Sequence, residues 1–183
     1  DDSGFLIRFN PVLDPSELGS ALWPKHDAPL ILNRSFDSPK HVWELHSGYF
    51  IAYEAGEWGG ALFYLQKGPT TPVRILEDWV SSIVEIAPNT YIVAGGLDGS
   101  GTVHRLWIDK NQHWRHRQLL ETDLGDPWFR GMNRARNEVL VVFSHCNEKT
   151  KANEDNVCGV SASGAIHLYG ICKYVPEDDQ SRR

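Results

Sequence analysis

The sequence predicts an all-β protein built from a repeated four-stranded unit. Three observations carry that expectation. Short runs of alternating β-branched and aromatic residues recur along the chain, as in TYIVAGG (90–96) and TVHRLWID (102–109). Turn-forming residues separate the runs, among them Pro88-Asn89, Gly96 to Gly101 and Lys110-Asn111. No stretch sustains a helical period beyond one or two turns.

The apolar second strands align across three units: Tyr49 to Tyr53, Tyr91 to Gly95 and Val139 to Phe143. Ile51 to Ile92 is a step of 41 residues, and Ile92 to Leu140 a step of 48. A turn precedes each second strand (His46-Ser47-Gly48, Pro88-Asn89-Thr90, Arg136-Asn137-Glu138). Third strands follow at Ala61 to Gln66, Thr102 to Ile108 and Val157 to Ser161. Fourth strands follow at Val73 to Leu76, Trp114 to Leu120 and Ile166 to Tyr169.

A four-stranded unit recurring every ~40–50 residues resembles the blades of a β-propeller. The physical sense of such a repeat is burial: one sheet cannot cover both of its own faces, and stacked sheets cover each other. The resemblance spans about residues 30 to 172 and is one of pattern. The Gly-His and Trp-Asp signatures of WD repeats and the paired glycines of kelch repeats are absent. It implies a small propeller, or a propeller-like arc, of three full blades and a partial N-terminal blade. An antiparallel sandwich or barrel uses the same alternating strands and is the alternative.

In chain order, Phe5 to Phe9 reads as a strand, Asp14 to Leu18 as a capped helical turn, and Pro29 to Asn33 as a strand. The two strands form the expected partial blade. Arg34 to Lys40 turns into His41 to Leu45, the first strand of the first full blade. Val80 to Ala87 opens the central blade, and Thr122 to Pro127 turns into the last one, which starts at Trp128. Asn147 to Asn156 is wholly polar and reads as a long exposed loop. From Lys173 onward apolar periodicity is lost. The expected organisation is therefore one domain over residues 1–172 and a disordered tail over 173–183.

With 183 residues, 41% hydrophobic and 23% charged, the chain can bury a sizeable core. Net charge is −6, and no basic run is interleaved with aromatics, so nucleic-acid binding is not expected. No apolar stretch approaches the ~18 residues of a membrane-spanning helix, so no membrane insertion is expected. The first residue is Asp1, which fits a removed export leader. The expected location is periplasmic or secreted, with cytoplasmic as the alternative. Cys146 and Cys158 flank the polar loop and are the expected disulfide. Cys172 is left over.

No catalytic or metal motif assembles. His113 and His116 are spaced to opposite faces of a strand, and His145-Cys146 likewise point apart. Ser161 to Gly164 reads as a hairpin turn and Leu97 to Gly101 as another, without EF-hand or P-loop spacing. No cofactor and no metal is expected. The blade pattern would instead gather second-to-third-strand loops and inter-blade loops on one side. That places Glu57, Trp58, Asp98, Ser100 and Lys149 with Asp123, Asp126 and Trp128. The resulting face is acidic with aromatic anchors, suited to another protein with a basic cleft. The expected function is a non-catalytic, protein-binding inhibitor or immunity-type protein. One rival is a carbohydrate-active or carbohydrate-binding protein using Glu57 and Asp98. The other is an intracellular scaffold.

Overall fold

The computed structural model describes residues 8–9, 12–13, 39–54, 59–68, 71–96, 100–123, 125, 127–133, 135–147 and 152–174. All regular structure among them is β, arranged as three antiparallel sheets with four sequential strands each. Two further short strands lie at sheet edges: β1 (Arg8–Phe9) borders the second sheet and β2 (Val12–Leu13) the first. The expected partial blade lies largely outside the described residues. Its described fragment, β1, serves as an edge strand. Contacts divide the chain into two compact units, Phe9–Val80 and Ser81–Arg183 with Asp1–Arg8.

The first unit holds β3 (His41–Glu44), β4 (Gly48–Glu54), β5 (Gly60–Gln66) and β6 (Val73–Leu76), paired in that order after β2. Period-2 alternation sorts its apolar residues onto two faces. Val42, Ile51, Tyr53, Ala61, Phe63 and Leu65 form one buried cluster, with Tyr53 and Phe63 edge to face at 5.6 Å. Trp43, Phe50, Ala52 and Leu62 alternate with them and are also buried. A strand buried on both faces reads as a continuous apolar run, which is why YFIAY stood out in the sequence.

The second unit holds two sheets. One contains β7 (Val80–Ala87), β8 (Thr90–Gly95), β9 (Gly101–Ile108) and β10 (Trp114–Thr122), with β1 beside β7. The other contains β11 (Pro127–Asn133), β12 (Glu138–Asn147), β13 (Ala152–Ser161) and β14 (Ile166–Tyr174). The turns at Asn89, Gln112 and Asn137 place those residues at φ of 54°, 62° and 51°, the left-handed region that Asn tolerates best among residues with a Cβ. The turn between β13 and β14 closes with Gly164 N–H donating to the Ser161 carbonyl at 2.9 Å.

The two sheets of this unit pack face to face. Val84, Ile86, Ile92 and Val103 meet Val139, Val141, Phe143, Cys158 and Val160 in one buried cluster. Polar contacts pin both ends of the seam. At one end Arg105 Nε donates to the Ala162 carbonyl at 2.6 Å while its guanidinium lies over Trp107. At the other, Ser81 Oγ donates to the Pro127 carbonyl at 3.3 Å, and Gly101 lies against the Gly125 carbonyl and the Phe143 ring.

Three expectations are corrected by the strand register. The disulfide does not form: Cys158 is a free, buried thiol opposite Val141, whereas Cys146 is opposite Asn153. At ~3.3 Å per residue those positions are roughly 16 Å apart along the ladder, far beyond the ~7 Å Cα limit for a bridge. Burial, and secondarily the Glu138 charge, push the Cys158 thiol up to about 11. It is therefore neutral and inert at ordinary pH. The long exposed loop over 147–156 is mostly strand, because β12 runs to Asn147 and β13 starts at Ala152. Finally, β14 continues to Tyr174, past the expected end of ordered structure.

The β9–β10 hairpin shows how one carboxylate fixes a turn. Asp109 Oδ1 accepts the N–H groups of Asn111 (2.8 Å) and His113 (3.0 Å), and Oδ2 accepts from Arg115 Nε at 2.8 Å. The bond from His113, then that from Arg115, hold the Asp109 carboxyl down at about 2. A depressed carboxylate stabilises the fold above its unfolded value of ~3.9, and that contribution vanishes as pH falls through about 2. Melting temperatures recorded from pH 5 to pH 2 should fall more steeply for the native protein than for Asp109→Asn. Equal slopes would refute the assignment.

Candidate functional site

The outer face of the third sheet is set by alternation along β12. Val139, Val141 and Phe143 point into the seam, so Glu138, Leu140, Val142 and Ser144 point away from it. The register then aligns a row across all four strands: Trp128, Val142, Val157 and Gly170. Trp128 is 48% exposed, and Tyr169, next to Gly170, is 41% exposed. Three strand spacings separate the two aromatic positions, about 14 Å.

A β-bulge shapes the Tyr169 side. Cys158 pairs with Leu168 and Val157 with Gly170, so Tyr169 is the extra residue. Its ring lies over Gly159, where an added Cβ would stand 2.9 Å from the ring and 2.4 Å from Glu138 Oε2. The absent side chain at Gly159 is what lets the tyrosine reach across the sheet. A groove of about 350 Å3 results, lined by Asn133, Leu140, Val157, Tyr169 and Gly170.

Charged and polar groups close both ends of this face. At one end the Tyr169 hydroxyl donates to Glu138 Oε2 at 2.7 Å and accepts from Asn133 Nδ2. Glu138 is buried, and its bond to the phenol holds the Tyr169 proton above the usual range. The His167 ring lies tilted against Tyr169 at 4.5 Å, and its Nδ1 lies 2.9 Å from Arg136 Nη1. A guanidinium has no acceptor, so Nδ1 must carry the lone pair. The 3.9 Å approach of that nitrogen to Glu138 is therefore not an ion pair. At the other end Asp155, also buried, accepts from Ser144 Oγ and lies 3.7 Å from Arg130 Nη1. Glu138 and Asp155 are about 20 Å apart by register, too far to share one reacting bond.

Of the residues predicted for a binding face, Trp128 is exposed on this sheet and Asp123 is exposed in the connection just before it. Ser100 is half-buried immediately before Gly101, which touches the Gly125 carbonyl of that same connection. Ser100, Asp123 and Trp128 thus come from one end of the Ser81–Arg183 unit. Glu57, Trp58, Asp98, Asp126 and Lys149 lie outside the described residues. Sequence reasoning missed Glu138, His167 and Tyr169. The available signal was a His-x-Tyr pair, which shares a strand face. Among the described residues no group of three His, Cys, Asp or Glu is placed to hold a metal. No family model, curated protein or solved structure matches the chain.

Proposed function

We propose that the chain is a non-catalytic protein-binding domain whose recognition surface is the outer face of the third sheet. One observation carries this reading: two large exposed aromatics, Trp128 and Tyr169, stand on one sheet face with a groove beside Tyr169 and paired charges at each end. Aromatic and arginine anchors inside a polar rim are the anatomy of a binding hot spot. The exposed Asp123 in the connection before Trp128, and the net charge of −6, favour a partner with a basic cleft. In this reading the domain plugs that cleft as an inhibitor or immunity-type protein, in an exported setting.

The test is comparative capture. Immobilised native protein and the Trp128→Ala and Tyr169→Ala variants are exposed to extract from the native source, and retained proteins are quantified. Each substitution should lower retention of the same partner at least ~30-fold, the effect of losing ~2 kcal/mol at a hot spot. Far-UV circular dichroism checks that the variants fold. Folded variants that retain the partner as well as the native protein would refute the proposal.

A further inference from the structure

The second sheet carries two arginines side by side where it meets the β13–β14 turn. The register sets Arg117 of β10 directly opposite Arg105 of β9. Val103, two residues before Arg105, belongs to the buried seam cluster, so both arginines leave the face that packs on the third sheet. Like charges directly opposite on a ladder, with Cβ atoms ~4.5–5.5 Å apart, repel each other. Burial, and after it the Arg117 charge, lower the Arg105 pKa from its ordinary value.

The fold nonetheless holds the two guanidiniums together. Arg105 is fixed by its bond to the Ala162 carbonyl and by the Trp107 ring, whose centre lies 4.5 Å from Cζ. Arg117, which is exposed, approaches the Ser163 carbonyl through Nη2 at 3.5 Å. Gly164, at φ 83°, makes room for both: a Cβ there would stand 2.7 Å from Arg117 Nη2 and 3.3 Å from Arg105 Cδ. A guanidinium has several N–H donors and no acceptor, and these two spend one donor each on the turn. Among the described residues neither meets any other acceptor.

Carboxylates are not scarce in this chain, which has 24 Asp and Glu against 18 Lys and Arg. Arg74, Arg115 and Arg130 each find one, in Glu77, Asp109 and Asp155. The Arg105–Arg117 pair has none among the described residues, so its counter-charge is open to a ligand. A carboxylate brings a single charge and fills one guanidinium fork. A phosphate monoester brings close to two charges and three acceptor oxygens, enough to bridge two forks.

We propose that Arg105 and Arg117 form a two-pronged site for a phosphate group, carried by an organic monoester or by the free ion. Arg105, clamped by Ala162 and Trp107, is the fixed prong, so little of its freedom is lost on binding. Arg117 is the exposed prong that completes the grip. Both arginines belong to the second sheet, so this site goes beyond the protein-binding face of the third.

The probes are phenyl phosphate and inorganic phosphate, titrated calorimetrically into the native protein in low-salt buffer at pH 7.5. At least one should bind saturably at one site per chain, and added salt should weaken it. Tighter binding of phenyl phosphate would support an organic monoester, and equal or tighter binding of inorganic phosphate the free ion. Benzoate, which presents the same ring on a carboxylate, should bind at least ~10-fold more weakly. Arg105 also pins the seam, so the test falls on Arg117. Arg117→Gln should weaken binding about 10-fold or more, and Arg117→Lys, which keeps the charge but not the fork, should weaken it less. Lys110→Gln removes an exposed cation from the neighbouring turn and should leave affinity unchanged. Absence of saturable binding by both phosphates would overturn the proposal. So would benzoate binding as tightly as phenyl phosphate, native-like affinity in folded Arg117→Gln, or an equal loss in Lys110→Gln, which would mark general charge attraction.

Discussion

Gly101→Val is expected to destabilise the protein by about 3 kcal/mol or more, a large share of the ~5–15 kcal/mol that holds a typical domain together. Gly101 is the first residue of β9 and pairs with Thr122. A Cβ at this position would stand 2.4 Å from the Gly125 carbonyl oxygen and 2.9 Å from the Phe143 ring. The ring can shift at some cost. The carbonyl belongs to the backbone between β10 and β11 and cannot rotate aside alone. Valine adds two methyl groups to this clash, so the sheets must separate at the end that Ser81 and Pro127 hold together. Urea unfolding followed by circular dichroism would show the loss as a lower midpoint at nearly constant slope. A midpoint within error of the native one would show that Gly101 is not a close-packed contact in solution.

Phe143→Ala attacks the same seam from the opposite direction and should cost about 3–5 kcal/mol. Phe143 is 2% exposed and belongs to the cluster joining the two sheets. It also lines a cleft beside β10. Truncation removes its transfer energy and opens a void that merges with an existing one, so the surroundings have little to collapse onto. The two substitutions are in contact and should not add. In a Gly101→Ala, Phe143→Ala double variant, loss of the ring relieves one clash of the new Cβ and leaves the carbonyl clash. The combined loss should be smaller than the sum of the single losses. Strict additivity, measured by the same urea unfolding, would argue that the two residues do not touch.

The sequence revealed most where side chains and main chain agree. In TYIVAGG and YFIAY nearly every residue that favours a strand is also buried in one, Thr90 and Tyr49 being half-buried, so pattern, propensity and packing coincide. The turns at Pro88-Asn89 and Ser161–Gly164 were legible for the same reason, since their residues suit the backbone they adopt. The stretch from Asn147 to Asn156 was not legible. Its side chains are polar and read as loop, yet Cys146 faces Asn153 and Ser144 faces Asp155 in a regular ladder. Main-chain pairing carries those strands, and propensity does not report it. The same register decides the disulfide: two cysteines near one loop are reachable only if they stand opposite each other, and the hairpin offsets them.

The candidate surface was half visible. Trp128 and Asp123 could be named because a tryptophan or an aspartate beside a turn is noticeable by itself. The Glu138, Tyr169 and His167 group left only its His-x-Tyr spacing as a signal, since its assembly depends on a bulge in β14 and on the missing side chain at Gly159. Neither leaves a mark in strand alternation.

The two outermost strands of the Ser81–Arg183 unit end their sheets differently. On β10, Arg115, His116 and Arg117 are exposed in succession. Charge repulsion there discourages a second chain from docking alongside. On β14 the corresponding rim shows Leu168 and Tyr169, and no described strand lies beyond it. Crowding will therefore act on this molecule asymmetrically. Of these two described borders, copies that meet through β10 repel and part, whereas copies that meet through β14 can extend one another's sheet, so the β14 border weighs more on the resistance of a preparation to clumping.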